Sequence, residues 1–206
     1  MKRRGSSTRH GIQPLLAYCC LVCAVVFFAG CGRPAYDPGL LKQAAALGEE
    51  QRWDEARPFI KAHLVRHPDD PIAHYYYGLS YLHLGAPQLT LAEGELLTAQ
   101  ALLSRDIIPT EEVTGMEYFK FKGVLHQKTA LVYMRAFREA LRFNVPPEYS
   151  RELLIKAAEQ VDLGLKCNPA SVPLKEYRDF LQETLHGTPE KQPEVMTRAP
   201  GSGSSI

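Results

Sequence analysis

The sequence predicts an all-α fold, a short solenoid of helical hairpins with two clear repeats followed by irregular C-terminal helices. Apolar residues recur at helical spacing from Leu40 onward, with almost no strand-like alternation. A distance of 34 residues separates Ala44 from Gly78, and each of these small residues precedes a larger apolar residue by three positions, Leu47 and Tyr81. A period of this length is typical of stacked helical hairpins.

The first hairpin is predicted to end near Pro68. Trp53 opens its second helix, and the Asp54-Glu55 pair that follows suits the positive end of a helix dipole. Pro58 falls in the first turn of the same helix, where its missing N–H leaves no hydrogen bond unmade.

The second hairpin keeps the start of the first and then departs from its spacing. Gly78 and Tyr81 repeat the small and large positions, but Ala92 stands two residues later than the register requires. The loop at Ala86-Pro87 is therefore predicted to be longer than the loop of the first hairpin.

These two hairpins resemble the tetratricopeptide repeat (TPR), in which small residues lie where helices cross closely. The resemblance covers residues 37–103 and is degenerate over residues 108–185. It implies a TPR-like solenoid whose first helices line a concave, partner-binding groove. The positions that match the small, large, small, large and terminating-proline positions of the family are Ala44, Leu47, Ala56, Ile60 and Pro68.

Less regular helices are predicted to complete the domain. A third repeat start is predicted at Gly115-x-x-Tyr118, and residues 124–143 are predicted to form one long helix. The following helix should end at Asn168-Pro169, and a final helix should run from a Ser171 cap to about residue 185.

The first thirty residues have the order of a secretory signal peptide. Lys2, Arg3 and Arg4 give a positive start, and an apolar stretch follows from residue 15 to residue 28. That stretch is shorter than the roughly 20 residues that a membrane-spanning helix needs, so export is favoured over permanent anchoring by a helix.

Phe28-Ala29-Gly30-Cys31 resembles the lipobox of bacterial lipoproteins, with Phe28 where leucine is usual. The resemblance implies cleavage before Cys31, a diacylglycerol thioether on its sulfur, and acylation of the new amino terminus by a fatty acid such as palmitate. A lipid bilayer would then hold the protein in the cell envelope, facing the periplasm. Gly32, in place of aspartate, resembles outer-membrane sorting in a Gram-negative organism. The alternative is an ordinary secreted protein.

Four segments follow from these patterns. Residues 1–30 are the predicted signal peptide, and residues 31–39 are the lipidated cysteine with a short tether. Residues 40–186 are the predicted helical domain. Residues 187–206 lack periodicity and are predicted to be disordered.

Composition argues against several functions. The predicted signal peptide, residues 1–30, contains four basic residues and no acidic residue. The rest of the chain has 20 basic and 23 acidic residues, which gives a formal charge of −3 with neutral histidines. Nucleic-acid binding is not expected, because it needs a basic stripe. After Cys31 only Cys167 remains, so no disulfide within the mature chain is expected. No phosphate-binding loop, nucleophile elbow or zinc-protease motif occurs, so we expect neither catalytic residues nor a cofactor.

The candidate partner-binding residues follow from the register of the resemblance. Tyr75, Leu79 and His83 fall where the first helix of a hairpin would line an open groove, a helical turn apart. An alternative, equally open at this stage, is that the C-terminal helices cover these residues. The third predicted repeat start adds Glu112, Met116 and Lys120.

A histidine cluster offers a different hypothesis. His63 and His67 stand four residues apart on one predicted helix, followed by Asp70 and His74. One helix supplies only two ligands with certainty and a metal site needs three or four, so packing or surface histidines are favoured over a metal site.

The leading hypothesis is thus a non-enzymatic lipoprotein scaffold or assembly factor that binds another envelope protein or peptide. A metal-binding or enzymatic accessory protein of the periplasm, using His63, His67 and His74, is the alternative. A purely structural envelope protein is the third.

Overall fold

The computed structural model of the chain describes residues 38–103 and 110–186. These residues form eight helices with no strand among them, so the predicted all-α class is confirmed. The predicted signal peptide, Cys31 with most of its tether, and the tail of residues 187–206 lie outside the described residues. The helices are α1 (Gly39–Glu49), α2 (Trp53–Arg66), α3 (Pro71–Leu82), α4 (Leu89–Leu103), α5 (Thr110–Thr114), α6 (Tyr118–Arg142), α7 (Pro147–Cys167) and α8 (Val172–His186).

Consecutive helices pair as hairpins. Helix α1 packs on α2, α3 on α4, and α6 on α7, while α2–α3, α4–α6 and α7–α8 contacts join one pair to the next. This order is compatible with the predicted solenoid. Within the described part of the chain, no helix is both long and apolar enough to cross a bilayer.

The first hairpin closes around small residues, as the sequence predicts. Ala44 and Ala56 are fully buried, and a Cβ atom at Gly48 would lie only 2.6 Å from Cη2 of Trp53. Gln51, at φ 61°, turns the chain between α1 and α2. The indole ring therefore packs against the end of α1, which fixes where α2 begins.

The second hairpin has the same kind of close crossing. A Cβ atom at Gly78 would lie 2.8 Å from Cγ of Leu96 and 3.2 Å from the backbone oxygen of Ala92. The connection between the helices spans residues 83–88, longer than the three residues between α1 and α2, as the delayed position of Ala92 predicts.

The predicted third repeat start at Gly115 is wrong. Gly115 has φ 65° and lies in the turn between α5 and α6, because a left-handed backbone ends a helix instead of continuing it. Helix α6 begins at Tyr118, earlier than the predicted residue 124. The glycine at the crossing of α6 is Gly123, where a Cβ atom would lie 2.9 Å from Cβ of Asn168.

Helix α6 links two hydrophobic cores. Its first half, including Phe121 and Leu125, joins a core made with α1–α5, and its second half, including Met134 and Phe137, joins a core made with α7 and α8. With 25 residues against the 12 of α3, α6 is about 20 Å longer, at ~1.5 Å per residue. The extra length is what creates the second core.

Candidate functional site

The predicted open groove is not present along α3. Tyr75 and Leu79 are only 4% and 5% exposed. The ring of Tyr75 meets Phe121 of α6 edge-on at 5.0 Å, and burial raises the pKa of its hydroxyl. The expectation that these two residues are exposed is therefore wrong, and for Tyr75 the alternative that a later helix covers it is correct. The reason is that α3 packs against α2 and α4, and α6 covers the ring of Tyr75.

Glu112, Met116 and Lys120 do not form one ridge. Glu112 lies on the short helix α5 and Lys120 on α6, while Met116 lies in the turn between them. Met116 packs against the first core, and the exposed Glu112 pairs with Lys42 at 3.0 Å. The common face predicted for them required Gly115 to be helical, which it is not.

His63 serves the junction of α2 and α3. Its Nε2 lies 2.8 Å from Oδ2 of Asp70, and both side chains are buried. The other carboxylate oxygen of Asp70 accepts from the N–H of Ile72 at 2.8 Å and of Ala73 at 3.3 Å, capping α3. Burial alone would raise the pKa of Asp70, but these hydrogen bonds hold it below its usual value.

His74 has a separate role, so the alternative histidine cluster is not one donor set. Its Nδ1 lies 2.6 Å from Oε2 of Glu95, and its Nε2 lies 2.8 Å from the carbonyl oxygen of Pro68. Burial opposes protonation, but these two acceptors raise its pKa. Across residues 38–103 and 110–186, no three His, Cys, Asp or Glu side chains converge to hold a metal ion.

A group of cationic and aromatic side chains lies where α3 ends beside α6. Lys128 and Arg135 are seven residues apart on α6 and therefore share a face. Nη1 of Arg135 donates to the carbonyl oxygen of Leu82 at 2.8 Å, at the negative end of the α3 dipole. His83, the next residue, stacks on Trp53 with ring centroids 5.3 Å apart and planes at 15°. We call Trp53, His83, Lys128 and Arg135 the α3–α6 cationic site.

The charges of this site are unbalanced. No carboxylate of the described residues forms an ion pair with Lys128 or Arg135, although both are half-buried. Burial and the charge of Arg135 lower the pKa of Lys128. Burial, with both cations nearby, lowers the pKa of His83 to about 4, so this imidazole is neutral at pH 7.

Trp53 adds a donor to the same neighbourhood. Its side chain is 6% exposed, and its Nε1 has no hydrogen-bond partner among the described residues. A buried donor without an acceptor costs about 1–3 kcal/mol, so such atoms are rare in folded proteins. The site thus combines two cations and an indole N–H with no acidic acceptor among the described residues.

Of these four residues, the sequence predicted a binding role for His83 alone, on the incorrect ground of an open ridge. The available signal was the seven-residue spacing of Lys128 and Arg135 within a long helix. That spacing points to a site only once α6 is known to pass the end of α3.

A cleft of about 420 Å³ lies between α4, α6 and α7, and its lining side chains Gln100 and His126 are hydrogen-bonded. Gln160 Oε1 accepts from Nε2 of Gln100 and from Nδ1 of His126, each at 2.9 Å. Gln100 also donates to Oγ1 of Thr129 at 2.8 Å. These hydrogen bonds join three helices, so the network is structural.

A second cleft, of about 450 Å³, lies between α6, α7 and the end of α8. Oγ of Ser150 is buried there without a hydrogen-bond partner among the described residues. Arg151 is the one ionisable side chain that lines the cleft, and an arginine cannot act as a general base for the serine. The arrangement therefore does not activate Ser150 as a nucleophile.

Comparisons with protein-family models, with curated proteins and with solved structures gave no match to this chain.

Proposed function

We propose that this protein is a non-enzymatic bacterial lipoprotein that is anchored in the cell envelope through acylated Cys31 and binds another envelope protein. The observation that carries the anchoring is the sequence Phe28-Ala29-Gly30-Cys31 behind a basic and then apolar leader. Three acyl chains on one residue hold a protein to a bilayer stably, since each buried methylene contributes ~0.8 kcal/mol.

Binding, and not catalysis, is the role that the helical domain supports best. The domain consists of helical hairpins with buried small residues such as Ala56 and Gly78. Stacked hairpins of this kind are typical of repeat proteins that bind partner proteins. The helical domain has an unbalanced cationic site, whereas the histidines of the metal hypothesis hydrogen-bond to different carboxylates. No observation favours the alternative of a metal-binding accessory protein.

The anchoring is tested by labelling cells with radioactive palmitate. We expect the parent protein to carry label and to sediment with membranes, and Cys31→Ser to lose both. Cys167→Ser is the matched control, because Cys167 is the other cysteine of the predicted mature chain and should not affect labelling. Equal labelling of parent and Cys31→Ser would refute the lipid anchor.

The binding is tested by crosslinking the full-length protein in intact cells and isolating its adducts from membranes. A discrete adduct that persists at low expression supports a specific partner. A protein that is acylated and located in the membrane but gives no adduct would instead favour the purely structural role.

A further inference from the structure

The α3–α6 cationic site holds more positive charge than its surroundings balance. Arg138 lies one turn beyond Arg135 on α6, and its charge also acts on Arg135. On α8, burial raises the pKa of Tyr177, and a hydrogen bond with Gln127 and the charges of Arg135 and Arg138 act against that rise. Lys128, Arg135 and Arg138 therefore lie on one side of α6, and α3 ends beside them at the neutral imidazole of His83.

Such an arrangement is unfavourable for the unliganded fold. A half-buried ammonium group loses hydration, and like charges on the same face repel each other. Arg135 is partly compensated by the carbonyl oxygen of Leu82. Lys128 has neither a hydrogen bond nor an ion pair within the described residues.

The one buried indole N–H of the chain belongs to the same neighbourhood. Trp53 stacks on His83, Arg135 donates to the carbonyl oxygen of the preceding residue, Leu82, and Lys128 lies two turns before Arg135 on the same face of α6. Because Nε1 of Trp53 is buried, a ligand with carboxylate oxygens would reach the half-buried ammonium of Lys128 instead and give it acceptors of the opposite charge. Charge-assisted hydrogen bonds of this kind are the stronger ones in proteins.

We propose that the α3–α6 cationic site, made of Trp53, His83, Lys128 and Arg135, binds the carboxylate side chains of an acidic peptide segment of the partner protein. This inference rests on the proposed function and specifies the chemistry of the partner. The stacked rings of Trp53 and His83 form an apolar side of the site, against which the methylene groups of a glutamate would pack.

A peptide fits this site better than a membrane surface. Lys128 and Arg135 are half-buried between helices, so a flexible side chain reaches them, whereas a planar array of lipid phosphates needs protruding cations. The formal charge of −3 after the predicted signal peptide also opposes adhesion of the domain to an anionic bilayer. Charge complementarity therefore selects an acidic protein segment.

The test compares Lys128→Met with Lys120→Met in the full-length protein, purified in non-ionic detergent. Both changes remove one positive charge from α6, but Lys120 is exposed and lies outside the site. The probe is a fluorescein-labelled hexaglutamate peptide, read by fluorescence anisotropy, with hexaglutamine as the neutral control. We expect the parent to bind hexaglutamate and Lys128→Met to bind it about 10-fold more weakly or worse. Lys120→Met should stay within about 2-fold of the parent, since an exposed charge outside the site contributes little.

A stability measurement separates a binding role from a structural one. Replacing an uncompensated, half-buried charge with an apolar side chain of similar length should raise the melting temperature of Lys128→Met. A fall in melting temperature would show that the charge is balanced inside the chain, and the proposal would be abandoned.

Three other results would overturn the proposal. The first is failure of hexaglutamate to bind the parent, or equal binding to Lys128→Met. The second is Lys128-dependent binding of phosphatidylglycerol vesicles in place of the peptide, which would identify a lipid ligand. The third is peptide binding that appears only after deletion of residues 187–206, which would identify the chain's own C-terminal segment as the occupant. If the peptide fails while the crosslinked adduct persists, the proposed function stands and only this inference fails.

Discussion

Asp70→Ala should destabilise the protein more than any other single carboxylate change in the first hairpins, because Asp70 makes two kinds of contact at once. Its Oδ1 caps α3 through the N–H groups of Ile72 and Ala73, and its Oδ2 faces Nε2 of buried His63. Losing a side-chain N-cap costs about 1 kcal/mol. Losing a buried hydrogen-bond partner costs a further 1–3 kcal/mol or so.

The expected total is about 2–4 kcal/mol of the free energy of unfolding. For a domain of this size each kcal/mol shifts the melting temperature by about 2–4 °C, so a fall of about 4–16 °C is expected. Thermal and urea unfolding followed by circular dichroism would measure both quantities. Asp69→Ala is the matched control. Asp69 is exposed and makes no such contact, so this change should alter the free energy of unfolding by less than about 0.5 kcal/mol.

The same pair gives a pH dependence with a definite sign. The pKa of Asp70 is lowered in the folded state, so its ionised form contributes stability that is fully present above the ordinary carboxyl pKa, 3.8. That contribution is lost as the pH falls through the lower, folded-state pKa. The stability difference between the parent and Asp70→Ala should therefore be constant near neutral pH and shrink in acid. A constant difference throughout acid pH, or equal effects of Asp69→Ala and Asp70→Ala, would refute this account of the α2–α3 junction.

Two further changes test the packing of α3. Tyr75→Ala should lower the free energy of unfolding by about 3–5 kcal/mol, because it removes a buried ring from contact with α6. Tyr149→Ala, at a 51% exposed position, should have a small effect. Similar melting temperatures for the two variants would contradict the burial of Tyr75. Gly78→Leu should lower the free energy of unfolding by about 1–3 kcal/mol or more, because even its Cβ would lie 2.8 Å from Cγ of Leu96. Gly94 has open space around it, so Gly94→Leu should be nearly neutral in urea unfolding. Equal behaviour of the two glycine variants would show that α3 and α4 do not cross at Gly78.

Where the sequence predicted packing correctly, the signal was local. Ala44 and Gly78, which are 34 residues apart, and Ala56, which matches a small position of the repeat, are all buried in the first two hairpins. Helix ends were also predictable, because a proline or a left-handed turn restricts the backbone wherever it occurs. Pro68 follows the end of α2, and Asn168-Pro169 follows the end of α7.

The errors arose where a local signal has two structural meanings. A glycine followed three residues later by tyrosine marks a helix crossing at Gly78 but a turn at Gly115, and only the backbone dihedral angle distinguishes them. Helix α3 contains no Asp, Glu, Lys or Arg, a sign that both of its faces are buried, yet the register of a repeat assigns one face to solvent. The absence of charge was the better guide to Tyr75 and Leu79.

The sequence by itself determined the helical class and the crossings of the first two hairpins, since periodicity and residue size act over short stretches of chain. Only the tertiary structure decided which helix covers α3 and which charges stand together. Helix α6 packs beside α3, which brings Arg135 to the carbonyl oxygen of Leu82, next to His83 and its stacked neighbour Trp53. These residues are far apart in the chain, and their interaction energy depends on the distances and the burial that folding creates.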